Sequence, residues 1–242
     1  MAADAIRRGR VGDVVRATPG GATTIGSLAV AVLGAIAFAR VAEDYLTNDP
    51  LARWDVSFAR WLAEHRTPLG VDVFRVVTFF GSPAVVLAMS ALVAIVLYRR
   101  RRLAEAGLLT LVVGGTELVN LVLKLAFHRP RPEVGFVHLD TYSFPSGHAM
   151  MATAGYGALA FLAWRRAWRA EIALATVALV CAIAFSRLYL GVHYLSDVLG
   201  GVAGGVTCLG LAIALYAAQG PRFAAWFTGS PLDRLGRAVV RA

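Results

Sequence analysis

Three short stretches hold most of the residues able to do chemistry. They are Lys124-Leu-Ala-Phe-His-Arg-Pro-Arg131-Pro132, then Pro145-Ser146-Gly147-His148, then Ser186-Arg187 followed by His193 and Asp197. Together they offer fixed cations, two histidines, a hydroxyl and a carboxylate, a set suited to a phosphate group. His193 and Asp197 are four residues apart and share one face of a helix. A carboxylate in that position accepts the ring N–H, fixes the tautomer and raises the basicity of the other nitrogen. Arg187, just before the Gly191 turn, brings a planar fork that can clamp two phosphoryl oxygens. Pro145-Ser146-Gly147 reads as a helix start, whose free N–H groups and dipole attract an anion. His148 would then project toward that anion and, as imidazolium, could protonate a leaving oxygen. Lys124 and Arg131 complete the set. The Arg129-Pro-Arg131-Pro132 run cannot continue a helix and holds Arg131 in a stiff extended segment. Three side-chain cations supply the electrostatic stabilisation that phosphoryl transfer needs. Each piece also has a plainer reading: a structural His/Asp pair, a solvated His148, a lysine snorkelling to an interface.

The elements that must position these residues are apolar. Of 242 residues, 58% are hydrophobic, above the ~45–50% of soluble domains. Six stretches approach the ~20 residues that cross a bilayer as helix: 22–41, 79–98, 104–126, 147–164, 171–190 and 195–218. They are too long and continuous for barrel strands. The expectation is an all-α six-transmembrane-helix bundle over 22–218, with short segments at 1–21 and 219–242. The first run followed by Ala37-Phe38-Ala39 faintly resembles a cleavable signal, but its length and its long N-terminal flank favour a retained helix. Residues 51–66 place Leu51, Trp54, Phe58, Trp61 and Leu62 at helical spacing, which predicts an amphipathic interfacial helix in the first outer loop. It either caps the bundle or borders a lipid entrance.

The net charge of +9 does not point to nucleic acid, because the arginines cluster in short loops between apolar runs. Arg7, Arg8, Arg10 and Arg16, the Arg99–Arg102 run, Arg165, Arg166 and Arg169, and Arg222, Arg234, Arg237 and Arg241 account for 15 of 24 basic residues. With six spans all four groups share one side, which the positive-inside rule makes the cytoplasm, with both termini there. The three chemical stretches then face the extracytoplasmic side of a cell (inner) membrane. Cys181 and Cys208 fall within apolar segments and read as small buried hydrophobes. Nothing in the sequence sets an oligomeric state.

The pattern Lys-x6-Arg-Pro, Pro-Ser-Gly-His, Ser-Arg-x5-His-x3-Asp resembles the three-part signature of the phosphatidic acid phosphatase type 2/haloperoxidase superfamily. Every signature position is occupied, in order, over residues 124–197. The resemblance implies that His193 attacks phosphorus to give a phosphohistidine and that Asp197 orients it. It implies that His148 is the general acid, and that Lys124, Arg131, Ser146, Gly147 and Arg187 hold the phosphate. No metal and no cofactor are implied, and vanadate should inhibit. The expected substrate is a lipid phosphate in the bilayer: a polyprenyl diphosphate such as undecaprenyl diphosphate, phosphatidic acid or phosphatidylglycerophosphate. A lipid phosphotransferase would use the same residues, and a non-catalytic transporter or scaffold would keep the fold without turnover. Outside the signature, Glu117 shares a face of the third span with Asn120 and Lys124, as a functional carboxylate or a hydrogen-bond anchor. His65, His128 and His138 read as loop residues, and Trp164, Trp168 and Trp226 as a cytoplasmic aromatic belt.

Overall fold

The computed structural model describes residues 20–137, 139–164 and 167–227, with side chains described as far as Gln219. Outside the described residues lie Arg7, Arg8, Arg10, Arg16, His138, Arg165, Arg166, Arg234, Arg237 and Arg241. The side chains of Arg222 and Trp226 lie outside them as well. Eight helices and no strand occur among the described residues: α1 Gly21–Thr47, α2 Pro50–Glu64, α3 Pro68–Phe80, α4 Pro83–Arg99, α5 Leu103–Phe127, α6 Gly147–Ala163, α7 Arg169–Tyr189 and α8 Leu195–Phe227. Proline opens α2, α3 and α4, where its missing N–H is not needed and its fixed φ suits the first turn. Thr67 and Ser82 cap α3 and α4, their hydroxyls accepting from Gly70 N at 3.1 Å and Val85 N at 3.3 Å.

Helices α1, α5, α7 and the Leu195–Gln219 part of α8 are long and apolar enough to cross a membrane, and α3 with α4 passes as a fifth, bent span. The chain is therefore a multi-pass membrane protein. The second apolar run does not form one helix over 79–98. It breaks at Gly81-Ser82, where α3 and α4 meet at 40°, because Pro83 donates no N–H and the Ser82 hydroxyl starts a new helix. The carbonyl of Phe80, freed by the break, accepts from the Tyr156 hydroxyl at 2.7 Å. Residues 68–78, outside the expected spans, join Phe79 and Phe80 in α3, whose apolar residues lacked length rather than character. Helix α1 runs on to Thr47 and α8 to Phe227, past the expected ends at 41 and 218.

Helix α6 sits at the centre, packed on α4, α5, α7 and α8. Leu108, Leu109 and Val112 of α5, Ala154 and Ala158 of α6, and Ala212 and Ile213 of α8 form its apolar core. Helix α8 also lies along α1. A Cβ on Gly201 would meet Ser146 O at 2.5 Å and one on Gly205 would meet Met150 O at 2.6 Å. Two missing side chains thus let α8 lie directly on the start of α6, where the chemical residues cluster. Cys208 is half-buried, but Cys181 is exposed. The expectation of a buried thiol fails there because α7 packs through α3 and α6 and turns its other side outward.

Candidate active site

The site gathers the C-terminal ends of α5 and α7, the N-terminal ends of α6 and α8, and the 128–146 connection. Helix α5 stops at His128, whose φ of 47° is left-handed and whose N–H returns to Lys124 O at 3.1 Å. Its ring packs edge-on against Tyr142, centroids 4.6 Å apart. Lys124, in the last turn, donates its ammonium to Tyr142 O, so it is directed inward rather than snorkelling. Arg131 donates to Thr141 O and Val192 O, each at 2.7 Å, and to Thr141 Oγ1 at 2.8 Å. Its Nη1 also lies 3.2 Å from His193 Nε2.

His193 is 2% exposed and has a partner on each ring nitrogen. Nδ1 faces Asp197 Oδ2 at 3.4 Å, a loose approach of the kind substrate binding tightens. A carboxylate on Nδ1 and a guanidinium on Nε2 favour the tautomer in which Nδ1 carries the proton and Nε2 the lone pair. Burial, followed by the positive charges of Arg187, Arg131 and Lys124, holds the His193 pKa well below the ordinary histidine value. The lowered pKa favours the neutral ring, whose Nε2 lone pair faces Arg131 in a cationic pocket. Burial also lowers the Arg131 pKa, against the opposing pull of Asp197.

Ser146 stands at the N-cap of α6, yet its hydroxyl caps nothing and is buried without a partner. Its backbone N–H donates to Asp197 O at 2.9 Å, stitching α6 to α8. A Cβ on Gly147 would meet Asn120 Oδ1 at 2.9 Å, so glycine lets α5 close on the start of α6. His148 is half-buried, forms no hydrogen bond with the described residues, and lies within electrostatic reach of Arg187, His193, Arg131 and Lys124. Arg187 donates Nη1 to Thr78 Oγ1 of α3 at 2.6 Å, while its Nε is buried and unpartnered. Two buried donors without acceptors, Ser146 Oγ–H and Arg187 Nε–H, thus sit in the same cationic pocket, and such groups are costly unless something accepts from them.

All eight signature residues belong to this one neighbourhood. Glu117, outside the signature, is half-buried within electrostatic reach of Lys124, and its Oε2 finds no hydrogen-bond partner among the described residues. Cys181 and Cys208 lie in the helical spans, away from the residues that bond to His193.

A second layer escaped the sequence reading. Arg129, only 5% exposed, donates Nη1 to Asp197 Oδ1 at 2.7 Å and to Ser196 Oγ at 2.6 Å. Its Nη2 donates to Asp55 Oδ2 at 2.8 Å. The guanidinium is sandwiched between the rings of Tyr45 and Tyr194, 4.5 and 4.4 Å from their centroids. Asp55 comes from α2, where Ala52, Asp55, Ala59 and Leu62 form the buried face. The expected apolar face of that helix is thereby divided: Leu62 turns inward, while Trp54 and Trp61 remain exposed. One signal was readable, an acid on a stripe of small apolar residues at three- and four-residue spacing. Thr78 gave none.

Comparison with known proteins adds to this geometry. The model of the PAP2 superfamily matches residues 105–221. Phosphatidylglycerophosphatase B of Bacillus subtilis is 31% identical over 147 residues, 58% of this chain and 72% of that one. Decaprenylphosphoryl-5-phosphoribose phosphatase of Mycobacterium tuberculosis is 39% identical over 129 residues, 50% of this chain and 66% of that one. The crystal structure of a transmembrane PAP2-type phosphatidylglycerolphosphate phosphatase from Bacillus subtilis superposes with a TM-score of 0.64 at 25% identity, covering 81% of this chain and 96% of that one.

Proposed function

This chain belongs to the PAP2 superfamily and is a lipid phosphatase, and we propose that it cleaves a lipid phosphomonoester or diphosphate through a phosphohistidine on His193. The observation that carries this reading is the buried His193 Nε2, set beside Arg131 in a pocket with unpartnered Ser146 and Arg187 donors. The Nε2 lone pair attacks phosphorus while the bond to the lipid oxygen breaks. The negative charge of the bound phosphate offsets the cations around His148, which as imidazolium gives that oxygen its proton. The Nδ1 proton stays on the ring and faces Asp197, which offsets the positive charge the phosphorylated ring acquires. Neutral His148 then takes a proton from water, whose oxygen attacks phosphorus. Inorganic phosphate leaves and the lone pair returns to Nε2. Lys124, Arg131, Arg187, the Ser146 hydroxyl and the Gly147 N–H hold the three phosphoryl oxygens as charge shifts among them. In the resting geometry one Arg131 N–H covers the nucleophile, so substrate must draw it away onto a phosphoryl oxygen.

Candidate substrates are phosphatidylglycerophosphate, phosphatidic acid and polyprenyl diphosphates; the first agrees with what the Bacillus subtilis relative is named for. We further propose six spans within 22–218, with 1–21 and 219–242 flanking them in the cytoplasm and the site on the extracytoplasmic side. Helix α6, at 17 residues, rises about 26 Å and would be the sixth span, enclosed by the others. Helix α2 would lie along the interface with its exposed Trp54 and Trp61 toward lipid; the stacking of Trp54 on Phe58 at 4.5 Å supports that placement.

Side-chain cations take the place a divalent ion fills in many phosphoryl-transfer sites, so the proposed reaction needs no metal. The test is phosphate release by the purified protein from a panel of these lipids. Release is expected at full rate in EDTA, and vanadate, which mimics the five-coordinate phosphorus, is expected to inhibit it. Activity that vanishes in EDTA and returns with magnesium would overturn the metal-free mechanism.

A further inference from the structure

Behind the reacting histidine lies a chain of alternating charge that passes through Arg129, to which the signature assigns nothing, and ends on Asp55, outside all three stretches. It runs from His193 to Asp197, on to Arg129, and then to Asp55 of α2. We infer that Asp55 and Arg129 are positioning residues that set how strongly Asp197 holds the His193 ring. The inference rests on His193 being the nucleophile.

The geometry is that of a built device. Asp55 and Asp197 are 0% exposed, and Arg129 binds one oxygen of each at 2.8 and 2.7 Å. The Ser196 hydroxyl joins them, accepting from Arg129 and donating to Asp55. Asp55 Oδ1 also accepts the Ser196 N–H at 3.0 Å, and Asp197 Oδ2 accepts the Tyr194 N–H at 2.8 Å. Two carboxylates are thus fixed on the first turn of α8, where the helix dipole favours negative charge. The tyrosine rings on either face of Arg129 hold its plane so that one edge serves both acids.

The charge pattern gives the device its function. His193 faces Lys124 of α5, Arg131 of the connection, Arg187 of α7 and, when protonated, His148 of α6. Asp197 is the carboxylate that directly compensates these cations at the ring. Arg129 alone would draw off much of that compensation. Asp55 takes up a share of the Arg129 charge and so returns negative potential to Asp197. Neutralising Asp55 leaves Arg129 bearing on Asp197 alone, which makes His193 a weaker base and a poorer nucleophile. Neutralising Arg129 does the reverse to basicity. A network that only braced the fold would not shift the titration in opposite directions.

The experiment measures the pH dependence of kcat/KM on short-chain phosphatidic acid in detergent micelles, with thermal unfolding recorded for every variant. Asp55→Asn is expected to lower the plateau about tenfold to a hundredfold, the range seen when a group behind a direct ligand is lost, and to move the acid limb to lower pH. Arg129→Gln should move that limb to higher pH. The double variant Asp55→Asn/Arg129→Gln leaves no unpaired buried charge in the pair, so it decides the matter if a single variant does not fold; its acid limb should return close to that of the wild type. Acid limbs that stay fixed in the variants, or that move in the same direction in both singles, would overturn the inference. So would a double variant shifted as far as a single one. His193→Ala is assayed alongside. Phosphate release from it at the wild-type rate would remove the nucleophile assignment itself, whereas an inactive His193→Ala with unmoved limbs elsewhere would remove the inference alone.

Discussion

His193→Ala is expected to abolish phosphate release from every lipid the wild type cleaves, a fall in kcat of roughly four to six orders of magnitude, as when a nucleophile is removed from a covalent mechanism. Alanine deletes the only atom that forms a bond to phosphorus, and none of the surrounding cations can take over. A second readout separates this from a binding defect. Wild-type protein quenched during turnover with labelled lipid should carry a phosphoryl group that is stable in base and lost in acid. His193→Ala should carry none while still binding vanadate, since Lys124, Arg131 and Arg187 remain. Wild-type activity in the variant would refute the assignment. A phosphoryl label on another residue would do the same.

His148→Ala is expected to lose about 10²–10⁴-fold in kcat on lipid substrates, the usual contribution of a positioned general acid. The size of the loss should depend on what departs. A lipid alkoxide needs a proton as the bond breaks, while p-nitrophenolate leaves well without one. The same variant should therefore retain far more of its activity on p-nitrophenyl phosphate. An equal loss on both substrates would assign His148 to binding rather than proton transfer. The wild-type acid limb, governed by His193, is expected below the ordinary histidine pKa of about 6.5. The sign follows from the direction of the shift: the nucleophile must be neutral, burial and neighbouring cations disfavour its protonated form, and activity falls only once pH drops below that lowered value. An acid limb above the ordinary histidine value would contradict the burial described here.

The signature residues were legible in the sequence because each stretch places its reactive groups within a few positions of one another. Residue type and local spacing were enough to read a cation, a helix start or a His/Asp face. The supporting layer was not legible for the opposite reason. Arg129 meets Asp55 across 74 positions, Arg187 meets Thr78 across 109, and Ser196 meets Asp55 across 141. No local pattern encodes such pairings. They appear only when α2 and α3 fold back over the ends of α5, α7 and α8. The same limit governed the spans. Long uniform runs such as α5 stood out, whereas α3 is 13 residues, too short to register as a span. The break at Gly81-Ser82 was written in its residues but hidden by the apolar sequence on both sides. Helix α2 shows the middle case: its existence followed from periodicity, but which side turned inward was decided by Asp55 finding Arg129.

The short link that carries His193 is fastened from several directions. Arg66 donates to Tyr189 O and Val134 O, each at 2.7 Å, and Phe136 N donates to Leu190 O at 2.9 Å. Gly191, at φ 66°, leaves room for the Arg66 guanidinium to pass beneath the turn. Its left-handed backbone would strain any other residue. The reacting ring consequently meets an arriving headgroup already in its working pose. The entropy of fixing it was spent during folding, so little of the affinity for lipid is drained by ordering the enzyme.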